Sequence, residues 1–130
     1  MTPSYVDAVE PNEAMRCEGI RHTADYAVRW HEGYGEDTTL ESDSYDWGIM
    51  ASSFHWTDHN RSLPEFHRIL RADGIFTIIW NPRNIESSPL HTEIEKAIHA
   101  IVPELKRVSS GGKSSTKDWT SILASTGHFR

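Results

Sequence analysis

A cluster of polar and aromatic residues, Ser52 to Asp58, is the part of the sequence best suited to chemistry. It follows an apolar run from Tyr45 to Ala51, which is typical of a buried strand of a parallel sheet. Ligands of open α/β sheets bind just beyond the carboxyl ends of such strands, so the hydroxyl, imidazole and indole groups here could contact one. Phe54 and Trp56 could equally cap an apolar core, and spacing alone leaves both interpretations open.

Two earlier stretches carry groups that suit a nucleoside. Glu10 ends a strand candidate that begins at Tyr5, and an acid near the end of the second strand of a nucleoside-binding fold accepts hydrogen bonds from ribose hydroxyls. The segment Gly33 to Asp37 reads as a loop whose glycines allow a ligand to approach the backbone closely. A solvated acid and a plain turn are the alternative interpretations of these two stretches.

The eight histidines raise the question of a metal site. His55 and His59 are four residues apart, but Trp56 stands where the zinc-protease pattern requires a glutamate. A third ligand is not evident nearby in the sequence, so we predict no metal site. The sequence also lacks the Gly-x-Ser-x-Gly elbow of serine hydrolases and the Gly-x-Gly-x-x-Gly dinucleotide fingerprint.

Strands and helices must alternate to position these groups. The apolar patterns predict an order of strand, helix, strand, strand, helix, strand, helix, helix, which is typical of an α/β fold with a mainly parallel sheet. Asn12 and Ser88 are predicted helix caps, and Gly19 and Gly74 are predicted to end helices. The predicted strands are 5–10, 27–32, 45–51 and 75–80, and the predicted helices are 12–19, 60–72, 88–103 and 118–126.

Composition limits the class of protein. The 130 residues suffice for one domain, 1–130, and a net charge of −6 without a basic block does not indicate a nucleic-acid partner. Cys17 is the single cysteine, which fits a reducing compartment. No stretch reaches the roughly 18 apolar residues of a membrane span, and the start lacks the pattern of a signal peptide, so we predict a cytoplasmic protein.

Six segments between residues 5 and 84 resemble, in their order and spacing, the class I S-adenosylmethionine-dependent methyltransferases of the small-molecule type 11 branch. The resemblance implies an α/β, Rossmann-like three-layer sandwich that transfers the methyl group of S-adenosylmethionine to a small molecule. The segments are Ala8–Met15, Gly33–Asp37, Ser44–Trp47, Ser53–Trp56, Glu65–Gly74 and Trp80–Arg83.

The resemblance also implies roles for individual residues. Glu10 would bind the ribose hydroxyls, and His55 with Trp56 would face the active-site mouth. By its residue type, His55 is also the candidate base for an acceptor that must lose a proton. The implied cofactor-binding residues are Glu10, Pro11, Asn12, Gly35, Glu36, Ser52 and Ser53. The implied substrate-facing residues are Trp56, Trp80, Asn81 and Arg83.

Two parts of the family's fold have no counterpart in this sequence. The first strand with its Gly-rich loop would precede Tyr5, and the last two strands would follow residue 130, so the sequence resembles a partial domain. Strands ending at Glu10 and Ser52 would then pair directly, pair with another chain or keep open edges. The alternative hypothesis is therefore a non-catalytic α/β module that self-associates, or binds a partner, through those edges.

Overall fold

The computed structural model describes residues 5–80, 88–105 and 118–129, and it shows the predicted α/β class and the predicted order of elements. A short 3₁₀ turn, Phe54–Trp56, lies between the third strand and the second helix. The elements are β1 (Val6–Val9), α1 (Glu13–His22), β2 (Val28–His31), β3 (Tyr45–Ala51), α2 (His59–Ile69), β4 (Leu70–Ile79), α3 (Pro89–Ile101) and α4 (Trp119–Ala124).

The strands of the described residues form two separate parallel pairs, β1 with β2 and β3 with β4. The mainly parallel arrangement is therefore confirmed. Strand pairing between β1 and β3 is absent from this part of the chain, so each keeps one edge without a strand partner. α1 packs against β2, and α2 packs against β4.

The core lies between α2 and one face of the β3–β4 sheet. Leu63 is fully buried on α2, and Phe66 packs against Phe76 of β4 with ring centroids 4.2 Å apart. A Cβ on Gly48 would lie 3.0 Å from Phe66, so the glycine of β3 allows this close approach. Alternate residues of β3 face away from α2, and Trp47 is 59% exposed.

The helix caps agree with the sequence. Asn12 accepts a hydrogen bond from the backbone N–H of Met15, and Ser88 accepts one from that of His91. The predicted end of α1 at Gly19 is wrong, because the helix continues to His22. A Cβ at Gly19 would lie 2.2 Å from the Trp30 ring, so this glycine makes room for packing between α1 and β2.

The predicted end of α2 at Gly74 is also wrong. The helix ends at Ile69, and β4 begins at Leu70, which is 4% exposed and packs into the core. Gly74 lies inside β4 without a positive φ, where the pairing of β3 and β4 shifts register. Burial of Leu70 in an extended backbone overrides the helical periodicity of residues 60–72.

Within the three described ranges, no helix is both long enough and apolar enough to cross a membrane.

Candidate functional site

The loop Gly33–Asp37 brings the ends of β1 and β3 to one rim. A Cβ added to Gly33 would lie 2.9 Å from Val9, the last residue of β1. A Cβ added to Gly35 would lie 2.9 Å from Thr57 and 3.1 Å from Met50 of β3. Glycines are therefore required where the loop passes closest to its neighbours. The segments carrying Glu10, Glu36 and His55 thus belong to one region of the surface.

Three hydrogen bonds accepted by acids fasten this loop and the adjoining Thr38 to α2 and to the turn before it. Glu36 Oε1 accepts a hydrogen bond of 2.8 Å from the backbone N–H of Asp58, which caps α2. Glu65 on α2 accepts from both the backbone N–H and the hydroxyl of Thr38, at 2.8 and 2.5 Å. Thr38 is 3% exposed, so the loop is held at a buried point.

The carboxylate of Glu65 is strongly stabilised in its charged form. Arg68 donates hydrogen bonds of 2.7 Å to both of its oxygens, and the side chain of Glu65 is 10% exposed. The hydrogen bond from Arg68, which outweighs the opposing effect of burial, together with those from Thr38, lowers the pKa of Glu65 to about 2. The charge of Glu65 therefore contributes to the position of the Gly33–Asp37 loop at neutral pH.

Glu10 lies immediately beyond β1 and is half-buried. Its Oε1 accepts a hydrogen bond of 2.8 Å from the backbone N–H of Asn12, and its backbone carbonyl accepts one of 2.8 Å from Arg16. The bond from Asn12 orients the carboxylate at the strand end, and the bond from Arg16 fixes the backbone beneath it. Pro11 and Asn12 are exposed beside it, and the Asn12 side chain caps α1.

Ser52, directly after β3, has a φ of 52°, in the left-handed region that non-glycine residues seldom adopt. Its backbone N–H donates a hydrogen bond of 2.7 Å to the carbonyl of Ile79, which holds this conformation in place. Strained backbone of this kind is common at functional sites. Ser53 follows it at the start of the 3₁₀ turn, where its side chain makes no cap hydrogen bond.

An aromatic cluster forms the rest of the rim. Phe54 is fully buried at the centre of this cluster. Of the two interpretations that the sequence left open for Phe54, the structure therefore supports a place in the core. Trp56 is 76% exposed and lies 4.9 Å from the His55 ring, so it belongs to the surface. Trp80, after β4, stacks on Trp119 of α4 at 4.6 Å. The remaining contacts are Phe54–His59 at 4.6 Å, Phe54–Phe76 at 5.7 Å, His59–Trp119 at 5.7 Å and Phe54–Trp119 at 5.9 Å.

His55 is connected to Trp80 through a ring nitrogen. The indole N–H of Trp80 donates to Nδ1 of His55 at 3.2 Å. The other nitrogen, Nε2, is buried and has no hydrogen-bond partner among the described residues. Sequence reasoning brought His55, Trp56 and Trp80 to this rim, but it did not include Trp119, because α4 is distant in sequence.

Asp7 on β1 was also missed by sequence reasoning. Its side chain is 2% exposed and contacts three residues: Arg29 at 2.7 and 2.8 Å, His31 at 2.7 Å and the Tyr45 hydroxyl at 2.9 Å. Tyr45 begins β3, so this contact joins the two separate sheets. The sequence did contain a signal for this cluster. Asp7 is an acid inside the apolar run of β1, and Arg29 and His31 are two residues apart on β2.

Asn81 and Arg83, predicted to face the substrate, lie outside the described residues. Among residues that are described, the structure brings together no group of three or more histidine, cysteine, aspartate or glutamate side chains that could hold a metal ion.

Residues 2–78 match the family described as "Methyltransferase domain". The match covers more than half of the chain and includes Glu10, the Gly33–Asp37 loop and the aromatic turn. The chain belongs to the methyltransferase domain family. The resemblance to class I S-adenosylmethionine-dependent methyltransferases is thereby confirmed at the level of family and fold.

Three proteins illustrate how far the likeness of this methyltransferase domain extends. "Uncharacterized methyltransferase Rv3342" of Mycobacterium tuberculosis is 36% identical over 52 residues, which are 40% of this chain and 21% of that protein. "Uncharacterized methyltransferase YdaC" of Bacillus subtilis is 26% identical over 90 residues, 68% of this chain and 50% of that protein. A solved structure from Thermotoga maritima, titled "SAM-dependent methyltransferase, possible histamine N-methyltransferase", has a TM-score of 0.57 and 25% identity, and the likeness covers 94% of this chain and 54% of that one.

The matched part of this chain thus covers from about a fifth to about half the length of these proteins. The predicted Rossmann-like fold is confirmed by the solved structure. The individual cofactor and substrate residues stay predictions, as does the cytoplasmic location.

Proposed function

We propose that this domain binds S-adenosylmethionine at the rim of β1 and β3 and takes part in methyl transfer to a small molecule. The observation that carries the proposal is the family match together with Glu10, a carboxylate oriented at the end of β1 beside the Gly33–Asp37 loop. Glu10 would accept hydrogen bonds from the ribose hydroxyls, with Pro11 and Asn12 along the same edge. Gly35 and Glu36 would lie beside the adenine, and Ser52 and Ser53 near the methionine portion.

The chemistry needs positioning more than reactive side chains. A nucleophile lone pair attacks the sulfonium methyl carbon in line, the carbon–sulfur bond breaks with its electrons going to sulfur, and S-adenosylhomocysteine leaves. Most of the acceleration comes from holding nucleophile and methyl together with water excluded. The aromatic rings of Trp56 and Trp80 suit a site near a sulfonium cation. Asn81, Arg83 and His55 are proposed to lie on the acceptor side.

Replacing Glu10 with glutamine is expected to weaken S-adenosylmethionine binding about 10- to 100-fold, because each hydrogen bond to a charged acceptor contributes about 1.5–3 kcal/mol. Glutamine keeps the size of the side chain and an oxygen for the N–H of Asn12. Isothermal titration calorimetry of the 130-residue chain with S-adenosylmethionine and with S-adenosylhomocysteine measures the effect.

Glu18→Gln is the matched control, because Glu18 is an exposed acid on α1 whose partners, Arg21 and His22, lie on the same helix. It should bind as the unaltered chain does. Equal affinities of the Glu10 and Glu18 variants would refute the role of Glu10. An absence of heat from the unaltered chain at millimolar cofactor would refute cofactor binding by these 130 residues.

A second candidate function is supported by the separation of the two sheets. β1 and β3 each keep an edge without a strand partner among the described residues, and such edges readily pair with another chain. The domain would then be a non-catalytic module that associates with itself or with a partner.

This second function predicts a defined oligomer in size-exclusion chromatography with light scattering. Val6→Lys places a charge on β1, at a residue that is 53% exposed, and should shift the oligomer toward monomer. Ile20→Lys on α1, at a residue that is 52% exposed, is the control and should leave the oligomer intact. A monomeric unaltered chain at high micromolar concentration would count against self-association.

A further inference from the structure

The hydrogen bond between Trp80 and His55 constrains where the proton of the imidazole lies. An indole N–H can only donate, so the Nδ1 atom of His55, 3.2 Å away, must be the acceptor. An acceptor nitrogen carries a lone pair and no proton. Neutral His55 therefore carries its proton on Nε2.

The Nε2 atom is the unusual part of this side chain. It is buried, yet it has no hydrogen-bond partner among the described residues. Buried polar groups are nearly always hydrogen-bonded, and a buried donor or acceptor that has no hydrogen bond costs roughly 1–3 kcal/mol. The surrounding contacts hold the ring in place, since Phe54 before it is fully buried and Trp56 after it packs at 4.9 Å.

We propose that Trp80 holds His55 as a hydrogen-bond donor, whose Nε2–H binds an oxygen lone pair of the methyl acceptor. This inference rests on the proposed methyltransferase function, because that function places the acceptor at this rim. His55 then selects acceptors that present a lone pair beside an aromatic wall. Trp80 is a positioning residue, because it acts on the ligand through His55.

The assignment changes what His55 does in the reaction. While the hydrogen bond from Trp80 is intact, the imidazole lone pair is directed at the indole, and the nitrogen facing away already carries a proton. His55 in this state orients the acceptor and cannot remove its proton. An acceptor whose oxygen carries more than one lone pair, such as a carboxylate, fits this arrangement, because one lone pair accepts from Nε2–H while another attacks the methyl carbon.

Two-dimensional long-range ¹H–¹⁵N NMR of the imidazole nitrogens tests the tautomer. It is recorded at pH 8. The unaltered chain should show His55 protonated on Nε2. Trp80→Phe keeps an aromatic ring against Trp119 but removes the N–H, so His55 should become a mixture of tautomers. Trp30→Phe removes an equivalent indole hydrogen bond, to Thr23, and should leave the His55 signals unchanged.

Benzoate and benzylammonium are the ligand probes, because both carry a phenyl ring and only benzoate presents oxygen lone pairs. Benzoate should shift the Nε2 signal of His55, and benzylammonium should not, although the net charge of −6 favours the cation. A proton on Nδ1 of the unaltered chain would overturn the proposal even if the Trp80 variant failed to fold. Equal responses to the two probes, or none to benzoate, would overturn the donor role. Since neither measurement needs cofactor or turnover, such a failure leaves the proposal of S-adenosylmethionine binding standing.

Discussion

Replacing Asp7 with alanine is expected to lower the free energy of unfolding by about 2–4 kcal/mol and the melting temperature by about 10 °C. The side chain is 2% exposed and accepts hydrogen bonds from Arg29, His31 and Tyr45. Alanine would remove the acceptor and leave the Tyr45 hydroxyl without this partner. The contribution from Arg29 is discounted, because its side chain is 67% exposed. Thermal and urea unfolding followed by circular dichroism measure the change.

A double-mutant cycle shows whether Asp7 joins the two sheets. Tyr45→Phe removes the hydroxyl that spans from β3 to β1, and should cost about 1–2 kcal/mol alone. Coupling between the Asp7 and Tyr45 substitutions should reach about 1 kcal/mol if the contact at 2.9 Å is made. Asp25→Ala, at an exposed turn, should change stability by no more than about 0.5 kcal/mol. Additive effects of the Asp7 and Tyr45 substitutions would contradict a tie between the sheets.

The same cluster predicts a loss of stability at high pH. Burial, with the hydrogen bond to Asp7 and its charge, raises the pKa of Tyr45 to about 12. Burial by itself raises the pKa of Asp7. The hydrogen bonds from Arg29, His31 and Tyr45 together lower it by more than burial raises it, so the pKa of Asp7 lies below its ordinary value. The contribution of Tyr45 is therefore full below pH 10 and is lost as the pH rises toward 12. Tyr45→Phe should remove this part of the alkaline loss.

Glu65 is expected to dominate the acid side of the stability profile. Its pKa falls from an ordinary 4.5 to about 2 in the folded chain, which corresponds to about 3 kcal/mol. A lowered folded pKa means that the stabilisation is present above pH 4.5 and is lost as the pH falls toward 2. Urea unfolding at intervals from pH 7 to pH 2 measures it. Glu65→Gln should be about 2–3 kcal/mol less stable than the unaltered chain at pH 7, with the difference shrinking toward pH 2.

The matched control for Glu65 is Glu93→Gln, because Glu93 is an exposed acid paired with Lys96 three residues away. Exposed pairs of this kind contribute about 0.2–0.5 kcal/mol, so the profile should be unchanged. A constant difference between the Glu65 variant and the unaltered chain at every pH would show that the carboxylate charge is not the cause. Because Glu65 also binds Thr38, loosening of the Gly33–Asp37 loop should accompany the acid loss.

The element types and their order could be predicted because they depend on local patterns. Alternation and β-branched content indicate strands, and helical spacing with Asn12 and Ser88 as caps indicates helices. The residues at which helices end could not be predicted as well from the sequence. Helix α1 continues through Gly19 because Trp30 of β2 packs over that glycine. Helix α2 ends at Ile69 because Leu70 is buried in the extended strand β4.

The candidate site divides in the same way. Glu10 lies at a strand end and His55 in the aromatic turn, and both positions follow from sequence order in a parallel sheet. The partners of these residues come from distant segments. Trp80 is 25 residues from His55, and Trp119 belongs to a helix that no local pattern places beside them.

The sequence by itself determined the family, the α/β class and the rim formed by Glu10, the Gly33–Asp37 loop and the aromatic turn. These depend on ordered short segments, each readable from its own residues. The tertiary structure decided three further matters. Asp7 joins the two sheets through its hydrogen bond from Tyr45, Glu65 fastens the loop, and Trp80 determines which nitrogen of His55 carries the proton. Each depends on a hydrogen bond between residues 25 to 38 positions apart, and such contacts exist only when packing brings the groups together.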